Sequence, residues 1–457
     1  MNFSIKTRAN VMLSIFILVS CSAVTILVFW SSPNDQITRE KSLIYLKNLA
    51  IESDYIKDKS ISSTSQPHHH SEYKSRRSDW NALMHLTPDS LSPRIFYNPC
   101  KSVETAKSDA NKEMRLLPIP TRSPLFSSMR VPHPENVDVA SELCRFKNGL
   151  QLSNTTRNLM DSNWTDAISS RLLYDAVTVC DMNRLDRVID LLVVISSRPY
   201  RAQQRGLIRK YWARDNCYAG RNVRHVFLTG IPPKGDVEEV IKLLSEARQE
   251  NDLVVQSFDD PDIWANTHKL FLGLQWSLAY CKYAKLVLFT SDEIFLVPEN
   301  VIGFIESVSD SAREHLVAGE FYKHALVQRN IKHPEHVPFS EFALSEWPDF
   351  VNLQATFIGA ELLLDLYIAA RMVRLVRHSA GFLGITLLRL QILPWGMPNL
   401  YITKDKLDTL QSNKVRQTHL VAALLPENND LSQNETFASW WKLHDCEKMC
   451  IAENLGS

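Results

Sequence analysis

Short apolar runs alternate with helical patterns between residues 190 and 290, and this alternation constrains the fold most. Four runs rich in β-branched and other apolar residues predict buried strands at Asp190–Ser196, Val223–Gly230, Asp252–Phe258 and Ala284–Thr290. Apolar residues with helical spacing predict helices at Ala202–Trp212, Asp236–Glu250 and Thr267–Tyr280. Such an order predicts an α/β fold with a mostly parallel sheet and helices on both faces.

The carboxyl ends of these strands are the expected place of a site, because ligands of open α/β sheets bind beyond that edge. Asp292 and Glu293 come shortly after the fourth predicted strand. Carboxylate oxygens suit hard cations such as Mn²⁺ and Mg²⁺, which bridge to phosphates. We therefore predict that Asp292 and Glu293 bind Mn²⁺ or another divalent cation. A surface turn with two acidic residues is the alternative.

The composition excludes two common ways of binding a nucleotide. Glycine is scarce, at 13 of 457 residues, and no segment reads G-x-G-x-x-G or G-x-x-x-x-G-K-[ST]. A bound diphosphate would need something other than a glycine-rich loop, and a divalent cation is one solution. The 51 basic and 51 acidic residues cancel, so we predict no nucleic-acid partner.

An uninterrupted apolar stretch at residues 11–30 predicts a transmembrane signal-anchor. It contains no charged side chain, and its length matches the ~20 residues that span a hydrocarbon core. Lys6 and Arg8 precede it, which places residues 1–10 in the cytosol and the remainder in the lumen as a single-pass type II protein. A cleaved signal peptide, whose apolar core is usually shorter, is the alternative.

The rest of the chain divides by pattern. Residues 31–110 are polar, with no persistent period, and predict an irregular stem between membrane and body. Residues 111–184 form a lumenal region that the pattern does not place. The predicted α/β domain covers residues 185–400, and residues 401–457 are a C-terminal extension.

Cysteines and sequons fit a lumenal location. Seven cysteines lie beyond the apolar stretch, and because seven is odd, at least one stays free or pairs with another chain. Cys446 and Cys450 have C-x-x-x-C spacing, which favours a disulfide or two unrelated partners over a zinc half-site. The N-x-[ST] tripeptides at Asn154, Asn163 and Asn434 predict glycosylation.

A series of short motifs runs in order through residues 191–392. They are Arg205–Trp212 (R-x-x-I-R-x-x-W), Val226–Gly230 (V/T-F-L-L-G), Asp262–Lys269 (D-x-Y-x-N-L-T-x-K), Trp276 and Cys281 (W-x4-C), Ser291–Phe295 (D-D-D-V-F), Trp347–Phe350 (Y-P-P-Y) and Gly384–Leu387 (G-x-C-L). In order and spacing this segment resembles the β1,3-galactosyltransferase family, glycosyltransferase family 31, whose patterns are given in parentheses.

The resemblance implies a GT-A-like α/β fold behind an N-terminal transmembrane helix and a stem. It implies a Golgi membrane hexosyltransferase that moves a sugar from a UDP-sugar to a glycan hydroxyl, with a β1,3-type linkage. Arg205, Arg209, Asn266 and Lys269 would then lie near the donor, although arginines on a helix are also commonly structural. Metal-bound UDP would be positioned by Asp292 and Glu293, with the ion as Lewis acid on the leaving diphosphate.

This sequence departs from the family at acidic positions that are linked to metal binding and acceptor activation. Ser291 replaces the first acid of the family's D-x-D, and Ser379–Gly384 replaces E-D-V-Y-V-G, so both acids linked to acceptor activation are missing. Inverting transfer needs a general base, and none is assigned here because His378, beside an arginine, is interpreted as structural. A catalytically inactive lumenal binding or partner protein of the same fold is the alternative function.

Overall fold

The computed structural model describes residues 137–162, 171–180, 188–233, 236–260, 262–281, 283–313, 316–397, 420–425 and 430–450. The predicted cytosolic tail, signal-anchor and stem lie outside these residues, as does Asn163. Among the helices that are described, none has the length and apolar character needed to cross a membrane.

A mixed sheet of eight strands forms the centre of the described fold. The described residues contain ten strands in all, eight in this sheet and two in a separate pair. They are β1 Leu172–Tyr174, β2 Ile189–Ser196, β3 Val223–Ile231, β4 Leu253–Asp259, β5 Ala284–Ser291, β6 Ile294–Leu296, β7 Val317–Tyr322, β8 Phe350–Gly359, β9 Trp395–Gly396 and β10 Ala422–Leu424. The sheet order is β1-β4-β3-β2-β5-β8-β7-β9, while β6 and β10 form a separate antiparallel pair.

The four strands predicted from sequence lie next to one another and run parallel, as β4-β3-β2-β5. Antiparallel strands extend this core on both sides, because β1 pairs with β4 and β8 pairs with β5. Beyond β8, the next strand in the sheet is β7, which runs antiparallel to β8, and β9 pairs parallel to β7. The predicted α/β sheet is therefore confirmed at its parallel core.

The helices are α1 Val139–Lys147, α2 Asn154–Ser162, α3 Ala202–Lys210, α4 Val237–Glu250, α5 Ala265–Tyr280, α6 Pro298–Ser307, α7 Asp310–Arg313, α8 Leu362–Arg371, α9 Ser379–Arg389 and α10 Asp430–Leu443. The three predicted helices are α3, α4 and α5. The side chain of Asp236 accepts the Glu239 N–H and begins α4. Asn251 ends it in the left-handed conformation, at φ 56°.

One face of the parallel core packs closely against α5. Gly273 makes this approach possible, since a Cβ there would lie only 2.6 Å from the Phe289 ring and 3.1 Å from Leu228 and Val194. These three side chains come from β5, β3 and β2, so α5 spans the middle of the sheet. A larger residue at position 273 would separate helix and sheet.

The opposite face carries a second hydrophobic layer. The rings of Phe304 on α6 and Phe357 on β8 lie with centroids 4.3 Å apart. The same buried cluster includes Ile208 of α3, Val193 of β2 and Phe227 of β3. Because alternate residues of the strands point to opposite faces, the sheet has helices on both sides, as predicted.

Disulfides join the outer parts of the described fold to the sheet. Cys180 pairs with Cys281, and Cys217 pairs with Cys450 of the C-terminal 3-10 helix region. Cys144 is also disulfide-bonded, and Cys446 is a buried free thiol. The zinc half-site alternative is therefore wrong, because the Cys450 sulfur is in a disulfide. Cys446 is a free thiol, which is one of the two outcomes that the odd count allows.

His444, which directly follows α10, predicts a pH dependence of stability. Burial lowers its pKa from 6.5 to about 4. The unfolded imidazole takes up a proton near pH 6.5 while the folded one does not, so stability present above that pH is lost as the pH falls toward 4. We expect the denaturant midpoint to fall over this window, and His444→Gln to flatten the fall. Replacement of the exposed His333 by Gln is the control, and an unchanged slope in His444→Gln would contradict the prediction.

Candidate functional site

Two cavities lie at opposite ends of the central strands in the described part of the chain. One, of about 310 Å³, is lined by Ser196 and Ser291, where β2 and β5 end, and by Asp292. The other, of about 470 Å³, is lined by Asn222 and Asp252, where β3 and β4 begin. Ligands of such sheets bind at the carboxyl ends of the strands. We therefore take the smaller one, called the carboxyl-edge cavity below, as the candidate site.

The predicted acidic pair lies at this cavity, and a single guanidinium bridges both carboxylates. Arg201 Nη1 donates to Asp292 Oδ1 at 2.8 Å, and Arg201 Nη2 lies 2.8 Å from Glu293 Oε1. The Ser197 hydroxyl donates to Asp292 Oδ2 at 2.7 Å. Burial raises the pKa of Asp292, and Arg201 and Ser197 oppose that effect. Arg201 is thus the main group that favours the charged form of this buried carboxyl.

The strand register explains why these residues meet. In the parallel pairing of β2 and β5, Ser196 lies beside Ser291. The next residue on each strand therefore leaves the sheet at the same place, and the Asp292 N–H donates to the Ser196 carbonyl at 3.0 Å. Arg201 directly precedes α3, which starts only a short turn after β2. The sequence thus folds Ser197, Arg201 and Asp292 together through one pair of strand ends.

This arrangement does not fit the divalent cation predicted from sequence. Mg²⁺ takes an octahedral set of oxygen ligands at about 2.0–2.1 Å, but both Asp292 oxygens and one Glu293 oxygen already accept from Arg201 or Ser197. No group of three or more His, Cys, Asp or Glu suited to a metal ion occurs in the described residues. A cation would first have to displace Arg201, so Mn²⁺ stays a prediction from sequence alone.

Asn266 and Lys269 are brought to the same cavity as the acidic pair. Lys269 is buried, and its Nζ donates to Asp260 Oδ2 at 2.9 Å and to the Ser197 carbonyl at 3.1 Å. Burial lowers the pKa of Lys269, while the charge of Asp260 opposes the shift. Lys269 thereby fixes the loop after β2, and Asn266 is exposed one helical turn before it on α5.

Arg205 and Arg209 are not among the residues that line this cavity. Arg205 is fully buried and donates to Glu246, which also pairs with Arg209. Arg209 donates twice to Asp252, just before β4, which is at the far edge of the sheet. Arg205 reaches the site only indirectly, because its Nη1 donates to Ser197 Oγ at 2.9 Å.

The residues directly after β2 form one wall of the site, and our sequence analysis did not select them. Ser197 and Arg198 line the carboxyl-edge cavity, and Arg201 holds its acids. Arg198 is exposed and has no ion pair within the described residues. The signal was present, since the rule that pointed to Asp292 after β5 points equally to the residues after β2.

His378 lines the cavity beside the positions where the family has its two acids. Its Nδ1 accepts the Gly381 N–H at 2.9 Å, and its ring stacks on Trp347 at 5.0 Å between centroids. A neutral imidazole that accepts at Nδ1 carries its proton on Nε2, so neither nitrogen is free to take another. The interpretation of His378 as a structural residue rather than the base is therefore supported.

A third carboxylate, Glu335, lines the carboxyl-edge cavity. Unlike Asp292 and Glu293, Glu335 is exposed and has no ion pair within the described residues. Burial lowers the pKa of His378, and the charge of Glu335, which lines the same cavity, opposes that shift. No motif pointed to Glu335, because residues 323–347 have neither a helical nor a strand period.

Two of the predicted glycosylation sites are described, and both side chains are exposed. Asn154 is the first residue of α2. Asn434 lies on α10, where its Oδ1 accepts the Tyr211 hydroxyl at 3.4 Å. Their glycosylation stays a prediction.

Comparison with known proteins gives a match over the region that builds this site. Residues 203–398 match the family model described as Galactosyltransferase. A human acetylgalactosaminyl-O-glycosyl-glycoprotein beta-1,3-N-acetylglucosaminyltransferase is 28% identical over 229 residues, 49% of this chain and 58% of that protein. The mouse N-acetyllactosaminide beta-1,3-N-acetylglucosaminyltransferase 4 is 30% identical, over 45% of this chain and 57% of its own length.

Beta-1,3-galactosyltransferase brn of Drosophila melanogaster is 25% identical, over 45% of this chain and 62% of that protein. The chain thus spans roughly three fifths of the length of these curated relatives. Among solved structures, the apo WbbM bifunctional glycosyltransferase gives a TM-score of 0.31 at 12% identity, over 58% of this chain and 52% of that chain.

The matched segment begins within α3 and ends just after β9, so it contains Asn266, Lys269, the acidic pair and His378. It also contains the substitutions at Ser291 and at Ser379–Ala380, where the family motifs have acids. Motif order and sequence match agree: the segment at residues 203–398 is similar to the galactosyltransferase family, as the resemblance to glycosyltransferase family 31 predicted.

Proposed function

We propose that this chain is a hexosyltransferase that transfers a sugar from a UDP-sugar to a glycan hydroxyl, with a β1,3-type linkage. The carboxyl-edge cavity carries this proposal, because its lining combines the exposed side chains of Arg198 and Asn266 with the carboxylate of Glu335, which has no ion pair within the described residues. Its volume of about 310 Å³ lies within the usual range of ligand pockets, about 300–1,000 Å³. The three relatives named above are β1,3-transferases by their names.

The location that we propose is the Golgi membrane, with type II topology and the transferase domain in the lumen. Two features support it. The uncharged stretch at residues 11–30 follows Lys6 and Arg8, and the described domain contains disulfides, which persist in oxidising compartments.

On the donor side, Arg198 and Asn266 contact the nucleotide sugar. A guanidinium suits a diphosphate because it offers two parallel N–H groups to neighbouring oxygens. Lys269 holds the loop that carries Arg198, through the Ser197 carbonyl. Arg205 and Arg209, which were predicted to bind the donor, support the same loop from behind through Ser197 and Glu246.

On the acceptor side, Glu335 is the general base. Glu335 lines the same cavity as His378, Ser379 and Ala380, and the last two stand where the family's two acids are missing. As the acceptor oxygen forms its bond to the anomeric carbon, the hydroxyl proton passes to Glu335. The bond between that carbon and the diphosphate oxygen breaks, and UDP leaves with the electron pair.

The test uses the purified full-length chain with UDP-galactose, UDP-N-acetylglucosamine and UDP-N-acetylgalactosamine, each with a panel of β-linked glycan acceptors. We expect UDP release and a lengthened glycan with at least one donor. Asp292→Asn should lower kcat/KM, because it changes the charge that orients Arg201, whereas Arg248→Gln on exposed α4 surface should not. If the protein neither binds UDP nor releases it from any donor, the proposal is wrong.

The second candidate is an inactive lumenal binding protein of the same fold. The lack of a carboxylate at Ser379 and Ala380 favours it, since that is where the family has its acids. Binding of UDP without transfer from any donor would favour this candidate.

A further inference from the structure

We infer that Arg201 takes the place of the divalent cation at the acidic pair, so that this site excludes Mn²⁺ and holds a nucleotide diphosphate without it. Only the second half, on the diphosphate, rests on the proposed function. The first half concerns Arg201, Asp292 and Glu293 alone.

The geometry of Arg201 is that of a bridging cation. Its two terminal nitrogens each lie 2.8 Å from a different carboxylate, Asp292 and Glu293. A guanidinium is not deprotonated in proteins. Arg201 is therefore a permanent positive charge between the only two acids that the sequence offers for a metal at this strand end.

The motif at this strand end also carries less negative charge than the family motif, which weakens the attraction for a cation. Where the family has three adjacent acids, this chain has Ser291, Asp292 and Glu293, so one negative charge is absent. Arg201 neutralises a second. A site with net charge near −1 attracts a divalent cation far less than one near −3, and the guanidinium repels the ion directly.

A second arginine is available for the phosphates. Arg198 lines the carboxyl-edge cavity, is exposed, and has no ion pair within the described residues. It lies three residues before Arg201 on the loop that Lys269 and Arg205 hold through Ser197. Arg201 thus neutralises the acids, and Arg198 is the exposed guanidinium of the cavity lining that is left for a diphosphate.

The first test titrates Mn²⁺ alone into the full chain and measures bound ion by electron paramagnetic resonance. Binding at this site is the part that Asp292→Asn removes, which separates it from ions bound elsewhere. We expect that part to be absent from the wild-type protein. In Arg201→Gln the two carboxylates are released, so a Mn²⁺ site should appear and be lost again in Arg201→Gln/Asp292→Asn.

Saturable Mn²⁺ binding to the wild-type protein that Asp292→Asn abolishes would overturn the inference. A folded Arg201→Gln protein that gains no Mn²⁺ site would also overturn it, because Arg201 would then not be the excluding group. If Arg201→Gln does not fold, the Mn²⁺ titrations of the wild-type and Asp292→Asn proteins still test whether the site excludes the ion.

The second test measures UDP affinity by calorimetry, once with excess chelator and once with Mn²⁺. We expect the two values to agree within about twofold, and Arg198→Gln to weaken both by about tenfold or more, whereas Arg248→Gln changes neither. UDP binding that Mn²⁺ strengthens by about tenfold or more would overturn the inference. No UDP binding under either condition would count against the proposed function, while the Mn²⁺ titration would still decide on Arg201.

Discussion

Replacing Glu246 by alanine is expected to lower the free energy of unfolding by about 3–5 kcal/mol, because it leaves a fully buried guanidinium without its partner. Arg205 is fully buried, and its Nη2 lies 2.5 Å from Glu246. The same carboxylate accepts from Arg209 at 2.9 Å. Loss of this carboxylate therefore removes the counter-charge of the buried Arg205, whereas Arg209 keeps its ion pair with Asp252.

The matched control lies on the same helix, α4. Glu238 is highly exposed and pairs only with Lys242, so Glu238→Ala should cost less than about 1 kcal/mol. Urea unfolding, followed by circular dichroism, measures both changes. Equal effects of the two substitutions would contradict the prediction.

The same carboxylate sets a pH dependence. Burial acts to raise the pKa of Glu246, but hydrogen bonds and charge from Arg205 and then Arg209 outweigh it, so the pKa is lowered. A lowered folded pKa gives stability that is present above the unfolded value and lost as the pH falls through the folded value. The difference between wild type and Glu246→Gln should therefore shrink below about pH 4.

Replacing Glu335 by glutamine is expected to lower kcat by about 10²–10⁴-fold, which is the usual contribution of a general base. The amide keeps the size and polarity of the side chain but cannot accept the proton of the acceptor hydroxyl. Since Glu335 contributes no donor contact in the proposed mechanism, the KM for the UDP-sugar should change little. Initial rates with varied donor and acceptor measure this separation of kcat from KM.

The matched control is Glu361→Gln, which changes an exposed carboxylate that does not line the carboxyl-edge cavity. It should leave kcat and KM unchanged. If the Glu335→Gln protein folds and keeps the wild-type kcat, Glu335 is not the general base.

The sequence was sufficient to predict the parallel core, because most residues of β2 to β5 are buried and their apolar runs have a strong local signal. It was less informative on β7, β8 and β9, which have no such alternation with helices. The C-terminal strand β10 pairs with β6 through contacts between residues more than 120 positions apart. Such pairing depends on the assembled core, so no local pattern indicates it.

For the site, the strand-end rule predicted Asp292 and Glu293, the family resemblance predicted Asn266 and Lys269, and all four line one cavity. The rule did not indicate Arg201, because in the sequence a lone arginine before a helix looks like any solvated cation. Its role becomes visible only when the fold places it against the carboxylates of Asp292 and Glu293. The family motif around Arg205 and Arg209 was read as donor binding, yet both side chains turn toward Glu246. The periodicity of α3 predicts which of its faces is buried. It does not indicate that the partner of that face is Glu246, which lies on another helix, α4.

The bond between Cys217 and Cys450 has a consequence for proteolysis. It closes a covalent ring of the chain that contains β3 to β10, and with them Asn266, Asp292, Glu335 and His378. A protease that cuts once in the exposed segment around Ile331 opens the ring, but the disulfide keeps the two fragments joined. The nicked protein should migrate as one species on a non-reducing gel and as two fragments after reduction.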